Sequence, residues 1–333
     1  MKKKLFPILC FFLVLCCMLP AAQAGAATFN IDFETYSAAI ELVNLDTDTI
    51  VYEKNATARR EPASTTKIMT FIVVSEQIQD LDNTQVTVTK EVVDQLLGTG
   101  SSLSGIKEND VLTVMQLLNC MMVPSGNDAA LVLADYIGNG DSNAFVELMN
   151  EKAQELGCQD THFTNPHGLH DDEHYTTAHD LYLITKYALQ FDLFREIVST
   201  PSYDTGPTNQ QENLHWDNTN QMIVEGSGFY HPEITGVKTG TLEESGRCLI
   251  TTAEKDGYEY LLVLMGAPYM DEAGNYITPN QAFVLTAQFY DWVFDTYKAK
   301  TIVEKGDKVS SINNVRLAKD GKDYLQLVSA ETF

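Results

Sequence analysis

The strand-forming segments of this chain lie towards its two ends, and most of what stands between them is patterned for helix. Ala38 to Val43 and Ile50 to Tyr52 read as two strands joined by the polar turn Asn44 to Asp48. Ile234–Thr239, Arg247–Thr252 and Tyr258–Leu264 read as three more, separated by turns that carry Gly246 and Asp256-Gly257. Between the groups, Pro62 opens a helix through about Ile78, with Ile68, Met69, Phe71, Ile72 and Val73 on its buried side. Further helices are expected at Val111–Met121, Asp128–Ile137, Asn143–Leu156 and Thr177–Leu189, and a last one at Gln281–Tyr297. A polar loop rich in Asn and Gln (207–222) marks the change of pattern. The economical solution is an α+β layer fold in which one sheet carries both terminal segments and a helical subdomain covers it.

The N-terminus is a separate matter. Lys2, Lys3 and Lys4 precede an apolar run from Leu5 to Leu19, then Pro20 and the small-residue stretch from Ala21 to Ala27. That is the pattern of a secretory signal peptide, with cleavage expected after Ala24. The run falls short of the ~20 residues a spanning helix needs. Leu15, just before Cys16, is bulkier than a lipid-attachment site takes. Export removes three of the six cysteines and leaves Cys120, Cys158 and Cys248, an odd number that completes no disulfide framework. With a formal net charge of −24, the chain repels nucleic acid and anionic lipid, so neither is an expected partner.

Three short motifs carry chemistry: Ser64-Thr65-Thr66-Lys67, Ser125-Gly126-Asn127 and Lys238-Thr239-Gly240. The first two are weak singly. Ser104-Gly105-Ile106-Lys107 repeats the first pattern and Ser311-Ile312-Asn313 the second. Order and context decide: S-x-x-K opens a helix, S-x-N sits in a turn between helices, and K-T-G lies on a strand, which is the motif set of β-lactamases and penicillin-binding proteins. Three longer stretches extend the likeness: Glu61 to Thr70, Val123 to Ala130, and Thr164-Asn165-Pro166-His167-Gly168-Leu169. With Gly236 to Thr241, they resemble the low-molecular-weight D-alanyl-D-alanine carboxypeptidases over roughly residues 30 to 297. The resemblance implies a β-lactamase/transpeptidase-like antiparallel sheet and a catalytic domain over 28–297. It implies a peptidoglycan stem peptide ending in D-Ala-D-Ala as substrate, β-lactams as inhibitors, and no cofactor or metal.

The residue chemistry agrees with that resemblance. A serine hydroxyl needs a base, and a spacing of three on a helix brings Lys67 towards Ser64. Lysine serves as base only where burial or a second cation disfavours its ammonium form, and Lys238 is the candidate cation. Ser125 is expected to relay a proton to the leaving D-alanine. Asn127 is expected to hold the substrate amide, while Lys238, Thr239 and Thr241 meet the terminal carboxylate. Gly240 has no side chain to obstruct a peptide pairing along that strand. By resemblance, the oxyanion hole is the backbone N–H of Ser64 and of Thr241.

Other readings compete. His167, His170, His174 and His179 suggest zinc, but H-E-x-x-H is absent and the segment reads as a loop at the cleft edge, so no metal is assigned. Arg247 reads as a solvated strand residue that could assist carboxylate binding. A β-lactamase would need a deacylating glutamate in an E-x-x-L-N context, yet Met115 stands three residues before Leu118-Asn119. A D,D-endopeptidase and a non-catalytic wall sensor remain open alternatives. From Thr301 to Phe333 the chain reads as the start of a truncated β-rich domain. There Val315 and Leu317 lead through Asp320-Gly321 to Leu325 and Leu327. No amphipathic anchor follows, which leaves membrane association open.

Overall fold

The computed structural model describes residues 31–297, 308–313 and 324–328. The expected signal peptide, Val315, Leu317 and the Asp320-Gly321 turn lie outside them. The chain divides into two compact units, with the boundary between Ala287 and Gln288.

The first unit begins with strands β1 (Ala39–Asn44) and β2 (Thr49–Lys54) and helix α1 (Lys67–Gln77). Strand β3 (Gln85–Thr87), helix α2 (Lys90–Gln95) and strand β4 (Val111–Thr113) follow. Next come α3 (Val114–Met122), α4 (Asn127–Ile137), α5 (Ser142–Glu155), α6 (Ala178–Ala188) and α7 (Asp192–Val198). A short hairpin of β5 (Ser202–Asp204) and β6 (His215–Asp217) precedes β7 (Ile234–Leu242), β8 (Gly246–Lys255) and β9 (Tyr258–Ala267). Helix α8 (Gln281–Thr296) starts in this unit and runs into the second, where β10 (Lys308–Asn313) pairs antiparallel with β11 (Tyr324–Val328).

The main sheet has the order β2-β1-β9-β8-β7, with every neighbouring pair antiparallel. The strands before the helices, β1 and β2, and those after them, β7 to β9, both join it, as the pattern required. Strand β1 is buried at every position, Glu41 included, and that carboxylate accepts from His179 Nδ1 at 3.0 Å. Strand β7 lies at the other edge, paired on one side only, with Gly240 opposite Cys248 and Thr241 opposite Arg247.

Helix α1 is buried from Lys67 to Val74, all round rather than along one stripe, so it is the core helix of the helical layer. Phe71 sits at its centre, edge-on to Phe194 at 4.9 Å and to Phe191 at 6.1 Å between ring centroids. The turn before it departs from expectation: Ala63–Thr66 is 3₁₀, and regular α geometry starts only at Lys67. The helix expected from Val111 also starts late. Val111–Thr113 pairs with Gln85–Thr87, and Thr113 caps α3 by accepting from Gln116 N while Gln116 Oε1 accepts from Thr113 N. This reciprocal capping box fixed the boundary that periodicity misjudged.

The Asn/Gln-rich loop gains its order from the segment it covers. Asn209 Nδ2 donates to Asn109 O, Gln210 Nε2 to Glu108 O and Gln211 Nε2 to Gly105 O. In the second unit the first hairpin strand is 308–313, earlier than the expected Val315 and Leu317, while Leu325 and Leu327 lie on β11 as expected. Truncating Phe71 to alanine is expected to cost about 3–5 kcal/mol, because the cavity opens where α1 meets α7 and cannot collapse. Urea unfolding of the Phe71→Ala protein, showing a matching loss of stability, checks this.

Candidate active site

Ser64 stands in the 3₁₀ turn, just after Ala63, whose backbone is left-handed at φ 48°. A non-glycine residue in that region holds strain of about 1–3 kcal/mol and persists only where neighbours over-determine it. Here they do. Thr66 Oγ1 donates to Ala63 O at 2.8 Å, and Gly168 lies so close that a Cβ there would fall 1.9 Å from the same oxygen. His174 completes the clamp. Its Nδ1 accepts from Thr164 N at 2.9 Å, which leaves Nε2–H to donate to Thr66 Oγ1 at 2.9 Å. The histidine-bearing loop is therefore the backing of the serine turn. Its other inward imidazole, His167, accepts from Leu169 N at Nδ1. Burial pushes His174 down to about 4 and His167 down to about 3, the latter aided by the charge of Lys67. Both rings are neutral at pH 7.

Lys67 is fully buried one turn behind Ser64. Its Nζ makes three contacts: Ser64 Oγ at 3.0 Å, Asn127 Oδ1 at 2.6 Å and His167 O at 2.8 Å. Two of these, the amide and the carbonyl oxygen, can only accept. A neutral amine donating to both has its lone pair left for the third direction, towards the serine hydroxyl. Burial first, and the charge of Lys238 second, hold the ammonium form well below the ordinary lysine range, with Asp128 opposing more weakly. Lys238 is itself 1% exposed, and burial alone pushes it down to about 7.

Strand β7 delivers Lys238 and closes on the serine turn. A Cβ at Gly240 would meet Ala63 Cβ, Pro62 O and Ser64 N, each at 3.1 Å, so only glycine allows this approach without displacement. A cleft of about 540 Å³ opens in front, and Ser64, Ser125, Thr239, Gly240 and Thr241 all line it. Lys67, Asn127 and Lys238 do not line it; they form the buried layer behind. Asn127 is thus turned to the lysine amine through its amide oxygen. Ser125, at φ 64°, is the second left-handed residue here, and its Oγ is buried without a hydrogen-bond partner. Thr239 Oγ1 donates to Thr219 Oγ1 at 2.7 Å.

These elements of fold and site meet their counterparts among known proteins. The sequence profile of the D-alanyl-D-alanine carboxypeptidases, peptidase family S11, matches residues 26–269. The chain belongs to that family. D-alanyl-D-alanine carboxypeptidase DacF of Bacillus subtilis is 29% identical over 335 residues, covering 99% of this chain and 80% of the relative. The D-alanyl-D-alanine carboxypeptidase of Streptomyces sp. strain K15 is 35% identical over 65% of this chain and 75% of its own. The crystal structure of the Streptomyces K15 DD-transpeptidase superposes with a TM-score of 0.71, at 29% identity, over 80% of this chain and all of the other. This S11 member accordingly has the α+β fold of that group and is a serine-type carboxypeptidase.

Several cleft residues carried no motif. Ser102, Thr219, Gln221, Phe229, Asn280 and Phe283 reach it from loops and from the start of α8. Arg247, expected from its strand context to be solvated, lines the cleft. Its guanidinium lies over the Tyr269 ring, 5.4 Å from the centroid, and donates to Pro268 O. Its place opposite Thr241 on the next strand was the available signal. The second S-x-x-K match is structural: Ser104 Oγ donates to the buried carboxylate of Asp128. Among the described residues no Asp or Glu lines the cleft.

The two inward histidines set an acid limit. Unfolded, each takes a proton near pH 6.5, whereas the folded chain refuses it until about 4 and 3. Their contribution is therefore complete above pH 6.5 and is lost as pH falls from there. The melting temperature is expected to decline over that window, and more gently in His174→Gln. A Gly168→Ala protein should in addition label with penicillin more slowly than wild type, because its Cβ displaces the Ala63 carbonyl.

Proposed function

We propose that this S11 enzyme removes the terminal D-alanine of peptidoglycan stem peptides through an acyl-enzyme on Ser64, with Lys67 as the base. The observation that carries this reading is the environment of Lys67 Nζ: dry, 3.0 Å from Ser64 Oγ, held by two obligate acceptors and facing a second buried cation. Catalysis by a positioned base contributes about 10²–10⁴ in rate when its proton affinity is tuned to the working pH. Such tuning is what burial and Lys238 supply.

In the proposed sequence an extended peptide adds to the free edge of β7. Thr239 and Thr241 receive its terminal carboxylate, with the charges of Lys238 and Arg247 nearby. The scissile carbonyl oxygen is turned to the N–H groups of Ser64 and Thr241, the first of which belongs to a helical first turn and has no partner within it. Lys67 takes the Ser64 proton as the hydroxyl attacks. Collapse of the tetrahedral adduct breaks the peptide bond; Ser125 Oγ passes its proton to the departing amine and regains one from the Lys67 ammonium, which returns Lys67 to the neutral amine. The lack of a hydrogen-bond partner for Ser125 Oγ within the fold suits that relay. Water then attacks the ester, with Lys67 again as base, and frees the shortened peptide. A β-lactam enters by the same attack, but its ring-opened amine stays tethered to the acyl group in the way of an incoming water, and among the described residues no carboxylate lines the cleft to drive a water past it.

Such a substrate lies outside the cytoplasm, which agrees with the Lys-rich and apolar N-terminal run. We take export with removal of residues 1–24 as part of the proposal. Among the described residues no helix is long and apolar enough to cross a membrane.

Release of D-alanine from a diacyl-Lys-D-Ala-D-Ala peptide, assayed with purified residues 25–333, is expected to vanish in Ser64→Ala, together with penicillin labelling. Lys67→Ala is expected to acylate about 10³-fold more slowly; acylation at the wild-type rate would sink the assignment of the base. The acid limb of the kcat/KM profile reports loss of the Lys67 proton. Removing the neighbouring charge in Lys238→Gln raises the Lys67 pKa, so that limb should move to higher pH.

A further inference from the structure

Three histidines, His167, His170 and His174, lie in the loop behind the serine turn, a fourth, His179, opens α6, and the site explains two of them. His167 and His174 face inward as neutral hydrogen-bonding groups, and His179 is tied to Glu41 on β1. His170 is left over, and it meets two carboxylates from elsewhere in the chain. Glu61, immediately before the Pro62-Ala63-Ser64 turn, has Oε1 3.0 Å from His170 Nδ1. Glu244, in the turn between β7 and β8, supplies the third group. One ligand atom from each of the three lies within 4.8 Å of the others. We propose that Glu61, His170 and Glu244 form a binding site for a transition-metal dication of zinc's class, which pins the histidine-bearing loop and the β7–β8 turn to the base of the serine turn.

The donor set and its spacing both favour such an ion. A tetrahedral site with bonds of about 2.0–2.2 Å puts its ligand atoms about 3.3–3.5 Å apart. The Glu61–His170 pair is already at that scale, and Glu244, exposed on a turn, needs only a side-chain adjustment to join them. Three protein ligands leave one position for water. An imidazole beside carboxylates suits zinc and its neighbours, whereas calcium and magnesium take oxygen ligands alone. The second observation is Glu61 Oε2, a buried carboxylate oxygen that no hydrogen-bond donor among the described residues satisfies. A buried acceptor of this kind calls for an ion or water. Charge points the same way: Glu61, Glu244 and, 3.8 Å from His170 Nε2, Asp172 set three carboxylates around one imidazole, and the group stays anionic even with that ring protonated unless a further cation joins it. The site is structural in this proposal, because the ion touches neither Ser64 nor the cleft lining, and the reaction steps above do not use it.

The exported protein, stripped with EDTA and titrated with zinc chloride by calorimetry, is expected to show one saturable site. Zinc is expected to raise its melting temperature. His170→Ala and Glu244→Gln alter exposed side chains, and each should weaken zinc binding by at least about 10–100-fold and abolish the thermal shift. Stripped enzyme should still release D-alanine. No saturable zinc binding, binding undiminished in both variants, or equal binding of calcium chloride would each overturn the proposal.

Discussion

A lysine amine kept out of water, with no carboxylate touching it, is the constraint on which the rest of this enzyme depends. Lys67 is fully enclosed, its hydrogen-bonding partners are a hydroxyl, an amide oxygen and a backbone carbonyl, and the charge that acts on it most strongly is another buried lysine's. Burying two cations together is unfavourable for folding, and the cost falls as either loses its proton. Folding energy is thereby converted into proton-accepting ability beside Ser64. Surrounding elements serve that end: a core helix buried on all sides carries Lys67, an edge strand brings Lys238, and the loop behind offers its His167 carbonyl.

The serine turn shows the second cost of the design. Left-handed backbone at Ala63, the neighbour of the nucleophile, is held by contacts from distant segments. Gly168 permits one of them and Gly240 another, by having no Cβ where the chain must approach within van der Waals contact of the turn. The neutral His174 ring bridges Thr164 and Thr66 and so couples the loop to the turn. The motif serine is consequently supported by the histidine-bearing loop and by strand β7, and its precise placement is a property of the packed domain rather than of the helix it opens.

The elements that were legible from residues alone are those whose signal is local. Alternation revealed the five main strands, and the apolar faces of Ile68 to Val73 and of the later helices revealed the helical layer. Thr113 was the decisive residue at one boundary, because a capping box with Gln116 outweighed the apolar pattern that began at Val111. The β5–β6 hairpin escaped notice because its strands are three residues each and lie around an Asn/Gln-rich stretch whose partners are carbonyls of residues 105–109. Arg247 escaped because a charged residue on a strand is usually solvated, and only its register opposite Thr241 brings it to the cleft.

By itself, the sequence determined the order of the three motifs, the helical spacing that brings Lys67 to Ser64 and the strand character of the segments on either side of the helices. Each follows from backbone periodicity, which acts over a few residues and is written in them directly. Tertiary structure alone decided which motif side chains face the cleft and which lie behind it. Ser64, Ser125, Thr239, Gly240 and Thr241 line the opening, while Lys67, Asn127 and Lys238 are sealed in the layer beneath. It also decided that His174 supports the serine turn and that Glu61, His170 and Glu244 converge. Those outcomes depend on contacts between segments a hundred or more residues apart, where burial and close approach are set by the packing of whole layers.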